Sequence, residues 1–177
     1  MQTFGRAIPK GALGAWVLVI VCAIVIFVAS AKSGHDLNSG DGLLSMVAIW
    51  LKACLSEMAG KPVDPSPIGH FIEYFVFGIA LANALRFLVR ATGRTSDGAH
   101  DWDAARGRAV VGIAVALAAV YAVTDELHQL FVPGRACDPA DFAVDVVAAL
   151  LGATVFWLAG RWRMRRRAQI SCGSLPR

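Results

Sequence analysis

Between Ala12 and Ala31 the chain runs twenty residues without a charged side chain, and no other feature narrows the choice of fold so far. A helix rising about 1.5 Å per residue crosses a hydrocarbon core of about 30 Å in that length. Lipid offers the backbone no hydrogen-bond partners, so such a segment must satisfy its own N–H and C=O groups, as a helix does. The composition agrees, since 56% of the 177 residues are hydrophobic, 17% are charged and the mean hydropathy is +0.57. Arg6 and Lys10 before the run, with Ala29-Ser30-Ala31 after it, also imitate a signal peptide and its small-residue cleavage site. The apolar core is longer than the usual h-region of about 7 to 15 residues, so the run reads as a first spanning helix.

Three further spans follow. Ser66 and Pro67 make an N-cap and first-turn pair, opening a second span from about Pro67 to Arg90. Val110 to Val132 is the third. Asp138 and Pro139 open a fourth that runs to about Gly160, where the Arg161, Arg163, Arg165, Arg166, Arg167 run ends the membrane part. Between spans one and two, Ser33 to Asp41 is a polar loop. Gly42 to Met58 then places Leu43, Leu44, Val47, Leu51, Cys54, Leu55 and Met58 at helical spacing, opposite Ser45, Lys52 and Ser56, with Glu57 beside them. This is the pattern of an interfacial amphipathic helix; a re-entrant or plain surface helix is the alternative. Residues 91 to 108, rich in Gly, Ser and charge, form a solvated connector.

Counting Arg86 and Arg90 as snorkelling to the second connector, thirteen of the 17 lysines and arginines fall at the N-terminus, that connector and the C-terminal tail; Lys32, Lys52, Lys61 and Arg135 fall on the other side. The positive-inside rule then places both termini in the cytoplasm. The net charge of +4 is thus a topology signal. Nucleic acid is excluded as a partner, because the basic residues end apolar runs and are not interleaved with exposed aromatics. Cys22, Cys54, Cys137 and Cys172 show no metal-type spacing and no disulfide framework. They read as incidental; a Cys54–Cys137 bridge, both residues facing outward, would need an oxidising compartment and a geometry that the sequence does not supply.

This orientation has a consequence for charge. The start of span two, the end of span three and the start of span four all face outward, so His70, Glu73, Asp125, His128, Arg135, Asp141 and Asp145 converge at one level near the outer surface. In span two His70, Glu73 and Tyr74 share a face, which continues through Phe77 and Leu81. In span three Tyr121, Asp125 and His128 share a face, with Thr124 and Gln129 alongside. In span four Asp141, Asp145, Ala148 and Gly152 follow at i+3 or i+4, so carboxylates and close-packing small residues lie together. Ionisable side chains in spanning helices cost a few kcal/mol each on insertion scales and face the bundle interior, where they pair. Adding Glu126 and Asp138 gives six carboxylates against two histidines and one arginine, a net negative site that suits a cation or amine.

The residues leave several readings open. Histidines and carboxylates from facing helices supply metal ligands, although no HExxH-type spacing is present. A histidine oriented by a carboxylate serves as a general base, although no GxSxG or evident nucleophile accompanies it. A purely structural cluster has Arg135 bridging to Asp141 or Asp145, Asp138 and Asp141 capping span four, and His128 bonding Glu73. An ion-coupled carrier is disfavoured, since the charges gather at one depth; a second charged layer near Asn83 and Arg86 would favour it. Asn83 itself reads as an interhelical hydrogen bond, and the terminal arginines as a topology determinant or anionic-lipid contact.

The same residues carry a resemblance to the VanZ-like family. Phe27-Val-Ala-Ser30 with Lys32-Ser-Gly34 resembles its end-of-first-helix serine motif, and Gly69-His70-Phe-Ile-Glu73-Tyr74 its second-helix motif. Asp125-Glu-Leu-His-Gln129, Pro133-Gly134-Arg135 and Asp141-Phe-Ala-Val-Asp145 resemble its third and most specific block. The sequence departs in having Asp145 where an asparagine is common, and in a short first motif with Ala29 and Ala31 around the serine. The resemblance implies a membrane protein of about four helices, related to accessory glycopeptide-resistance proteins that reduce susceptibility to teicoplanin rather than vancomycin. It brings no catalytic activity with it, and many such proteins occur outside resistance clusters.

The expected molecule is an all-α integral membrane four-helix bundle with an additional outward interfacial amphipathic helix, in a bacterial inner membrane. Residues 1–11 are a cytoplasmic N-terminus, 12–160 the VanZ-like domain and 161–177 a basic cytoplasmic tail. The expected site comprises His70, Glu73, Tyr74, Asp125, Glu126, His128, Gln129, Arg135, Asp141 and Asp145, with catalytic roles unassigned. Membrane lipids are the expected partners, with an envelope precursor or lipoglycopeptide as ligand; the residues name no cofactor or metal.

Overall fold

The computed structural model describes residues 10–32, 43–62, 66–92, 104–135 and 137–173. These form five helices: α1 (Lys10–Ser30), α2 (Leu43–Ala59), α3 (Ser66–Thr92), α4 (Ala104–Gln129) and α5 (Pro139–Gly173). All but α2 contain segments long and apolar enough to cross a membrane, so the all-α, four-span expectation holds. Arg6, the polar loop at 33–41 and most of the connector at 91–108 lie outside the described residues.

Each spanning helix buries a stripe at the spacing of one helical face. On α1 it is Ala12, Ala15, Val19, Ile26 and Ser30; on α4, Val110, Ala114, Ala118, Ala122, Glu126 and Gln129. The opposite faces carry exposed Leu13, Ile20 and Ile24 on α1 and Ile113, Leu117 and Val120 on α4. Lipid tails are as apolar as these side chains, so burying leucines gains little here and small residues that admit close contact hold the helices together. Helix α3 is central, packing against α1, α4 and α5.

The closest approach joins α3 to α5. A Cβ on Gly152 would run into the carbonyl of Phe75, and one on Gly78 into the backbone of Ala149. Both helices start at the same end of the bundle, so this contact fixes their first turns side by side. That end also receives the last turns of α1 and α4. This is the polar end of the bundle.

One boundary departs from expectation. Helix α5 continues thirteen residues past Gly160 to Gly173, because Arg161 to Gln169 supplies good helix formers and no breaker. Helix α2 has the expected extent, but at most marginal contact with the other helices. Leu51, Cys54 and Leu55 are half-buried, while Met46, Val47, Ile49, Trp50 and Met58 are exposed; the Leu43, Leu44 and Ser45 side chains lie outside the described residues. Cys22, Cys54 and Cys137 are free thiols, so the Cys54–Cys137 bridge is absent.

Candidate functional site

The α4 stripe explains why acidic groups are buried at the polar end. Ala114, Ala118 and Ala122 bring α4 close to its neighbours along its whole length, so the same face carries Asp125, Glu126 and Gln129 into the protein. These three are 3%, 4% and 1% exposed. On α5 the face containing Gly152 and Ala149 buries Asp145 completely, and on α3 the Phe77 and Leu81 face buries His70 and Tyr74.

Two polar contacts join helices across this end. Ser30 Oγ donates to Asp125 Oδ2 at 2.8 Å, linking the last turns of α1 and α4, and Gln129 Nε2 donates to the same oxygen at 3.3 Å. His70 Nδ1 lies 3.3 Å from Asp145 Oδ1, linking the first turns of α3 and α5. Tyr121 lies beneath, its hydroxyl donating to the Ala23 carbonyl at 2.6 Å and its ring against those of Tyr74 and Phe77. Glu73 is half-buried, within electrostatic range of His70, Asp125, Asp145 and Arg135. Asp141, one turn before Asp145, also acts on His70.

The α4–α5 connection closes over this cluster. Val132-Pro133-Gly134-Arg135 is a turn with Arg135 N–H on the Val132 carbonyl at 3.1 Å and Gly134 at φ +78°, the left-handed geometry that favours glycine after proline. Glu126 Oε2 accepts from the Asp138 backbone N–H at 2.8 Å. Asp138 caps α5 as expected, its Oδ1 accepting from Ala140 N–H at 2.8 Å. Arg135 donates from Nε to the Lys32 carbonyl at 3.3 Å and from a terminal nitrogen to Ser66 Oγ at 3.2 Å.

Thus all ten expected site residues stand at the polar end, but two have neighbours other than those expected. Arg135 does not bridge to Asp141 or Asp145; it ties the turn to the end of α1 and the start of α3. His128 does not bond Glu73; its ring stacks on Phe27, with centroids 4.4 Å apart. Glu126 turns toward the connection. Ser30, 2% exposed, joins the cluster as well; it stands in the first-helix serine motif and ends the α1 stripe at helical spacing from Ile26, but is not among the ten.

Hydrogen bonding within the cluster is lopsided. Asp125 Oδ1, Glu126 Oε1, both Asp145 oxygens, Tyr74 Oη, His70 Nδ1 and His128 Nε2 are buried without a hydrogen-bond partner. Most are acceptors. Among the described residues no three His, Cys, Asp or Glu side chains come together as metal ligands would.

The opposite end is built differently. Arg86 lies over the rings of Phe87 and Phe156, Arg161 over Trp157 and Arg166 over Trp162. Between the two ends the core is Phe77, Ala80, Leu81, Ala84, Leu85, Ala114 and Ala118.

Residues 15–160 match the family model described as VanZ/LLP1. No curated protein and no solved structure matches the chain significantly.

Proposed function

The chain belongs to the VanZ/LLP1 family, and from that premise we propose that it acts at the bacterial cell envelope through the polar end of its bundle. In this reading the protein sits in the inner membrane with both termini cytoplasmic, the basic end of the bundle inside and the polar end at the outer leaflet. Residues 161–177 then form a basic extension on the cytoplasmic side. The protein lowers susceptibility to teicoplanin-type lipoglycopeptides without destroying the drug, by engaging a lipid-linked envelope component or the drug itself.

One observation carries this reading. Asp125 and Asp145 are buried from separate helices, beside histidines and a tyrosine, at a cost that stability alone does not repay. The test is to express the wild-type chain in a sensitive Gram-positive host and measure teicoplanin and vancomycin susceptibility. Protection against teicoplanin with little against vancomycin is expected. No protection against either drug, at verified membrane levels, overturns the resistance reading.

A second reading is a membrane enzyme that modifies a lipid-linked envelope component. What favours it is His70 Nδ1 at 3.3 Å from Asp145, a histidine close enough to a carboxylate for the latter to orient it as a general base once the pair closes to a hydrogen bond. Its metal-dependent form has no ligand set among the described residues. A covalent change in extracted envelope lipids or precursors, lost in His70→Gln, would favour this reading over binding alone. An ion-coupled carrier receives no support from the apolar core between the two ends.

A further inference from the structure

Three carboxylates at the polar end are more than nine-tenths buried, and the cations nearby do not balance them. Arg135 places two of its five N–H donors, on the Lys32 carbonyl and the Ser66 hydroxyl, and forms no ion pair with any of the three. His70 approaches Asp145 through one oxygen only. Asp125 takes two donors, both neutral and both on the same oxygen. This leaves Asp125 Oδ1, Asp145 Oδ2 and Glu126 Oε1 as buried acceptors with no donor. A buried acceptor in this state costs about 1–3 kcal/mol, and more when charged, so the sequence carries a large penalty that its own side chains do not relieve.

An independent observation points the same way. Tyr74 is fully buried with its hydroxyl unpartnered, its ring held between Phe77 and Tyr121. The charges acting most strongly on that hydroxyl are those of Asp125 and Asp145. The hydroxyl is thus within electrostatic range of both carboxylates and able to accept or donate a bond.

We propose that the polar end recognises a primary ammonium group, held by the Asp125 and Asp145 carboxylates beside the Tyr74 hydroxyl. An ammonium brings three N–H donors and one positive charge in the volume of a methyl group, which matches surplus acceptors on closely packed helices. A metal cation needs several ligands on one point, and the described residues do not provide them. A quaternary ammonium supplies charge but no donor and leaves the acceptors unmet. Two sources share the required chemistry: the headgroup of an ethanolamine lipid in the outer leaflet, and a free amine on an envelope precursor. The inference rests on the polar end being the working site and names the class of group it takes.

The test uses the full chain in phosphatidylcholine nanodiscs, titrated calorimetrically with ethanolamine, choline, ethylene glycol, Nα-acetyl-lysine amide and its Nε-acetylated counterpart. A second set of nanodiscs contains phosphatidylethanolamine, with thermal unfolding as readout. Saturable binding of ethanolamine or the lysine amide, or stabilisation by phosphatidylethanolamine, is expected. Choline should bind at least about tenfold more weakly, and the neutral probes not at all. Asp125→Asn and Asp145→Asn should each weaken binding about tenfold or more, the loss of one charge-assisted bond.

Stabilisation by the lipid without binding of the lysine amide assigns the lipid source; strong binding of the lysine amide assigns the precursor source. Absence of binding in every arm, equal binding of choline and ethylene glycol, or undiminished binding in both folded Asn variants overturns the inference. Should the Asn variants fail to fold, Tyr74→Phe and the wild-type ligand series decide it, with about a threefold loss expected for Tyr74→Phe. A chain that protects cells but binds no ammonium probe overturns this inference alone, whereas binding without protection overturns only the resistance reading.

Discussion

The two ends of this bundle both carry charge, yet they treat it in opposite ways. At the basic end several arginines lay the guanidinium over an aromatic ring on a long flexible stem, as Arg161 does over Trp157 and Arg166 over Trp162. Such placement needs little from the rest of the fold. At the polar end the charges sit on short side chains that cannot reach out, so Asp125 and Asp145 are held where the helices pack. Charge at one end is explained by topology and surface chemistry. At the other it is imposed against its own desolvation cost, which is where a function is expected to be found.

The comparison breaks most severely where the polar end is positioned. Gly152→Ala puts a methyl group against the Phe75 carbonyl, and backbone cannot step aside. We expect a loss of about 3 kcal/mol, read as a fall in thermal unfolding temperature in detergent, together with loss of the His70–Asp145 approach. Gly107→Ala is the matched change at the basic end, where the new methyl meets the Trp157 indole. A side chain can rotate away, so the loss there should be clearly smaller.

The next effect comes from Asp125→Ala, which strands the Ser30 hydroxyl and the Gln129 amide in a buried site. About 2 kcal/mol of destabilisation is expected, and Ser30→Ala should cost less once Asp125 is already alanine, a coupling that a double-mutant cycle measures. Arg135→Ala removes two hydrogen bonds from a half-buried side chain, and about 1 kcal/mol is expected. Its signature is faster hydrogen exchange in the 130–135 turn with the α3–α5 contact unchanged. Arg166→Ala, at the basic end, should cost under about 0.5 kcal/mol, because a cation over an exposed ring is well screened.

These differences mark how far the sequence could be read. The spans were legible because twenty uncharged residues admit few alternatives, and the turn was legible because Pro133-Gly134 suits one geometry. The convergence of His70, Asp125 and Asp145 followed from helix count and direction alone. Partner choice did not follow, since it depends on distances of a few ångströms between helices: Arg135 is near several acceptors in sequence terms, and only the packing selects the Lys32 carbonyl and Ser66. Ser30 was legible as the serine of the first-helix motif and as the last member of the stripe Ala12, Ala15, Val19, Ile26, but neither signal says which buried group it bonds. The extension of α5 to Gly173 was hidden by equating the end of apolarity with the end of the helix, which are separate properties.

The central claim is that the polar end, and not the basic end, performs the function. The most direct measurement is teicoplanin susceptibility of a sensitive host expressing the wild type, Asp125→Asn, His70→Gln and Arg166→Ala at matched membrane levels, each checked for folding by unfolding temperature. Loss of protection in Asp125→Asn and His70→Gln with full protection by Arg166→Ala is the predicted result. Equal protection by all four folded proteins would contradict the account and leave the buried carboxylates with a structural role only.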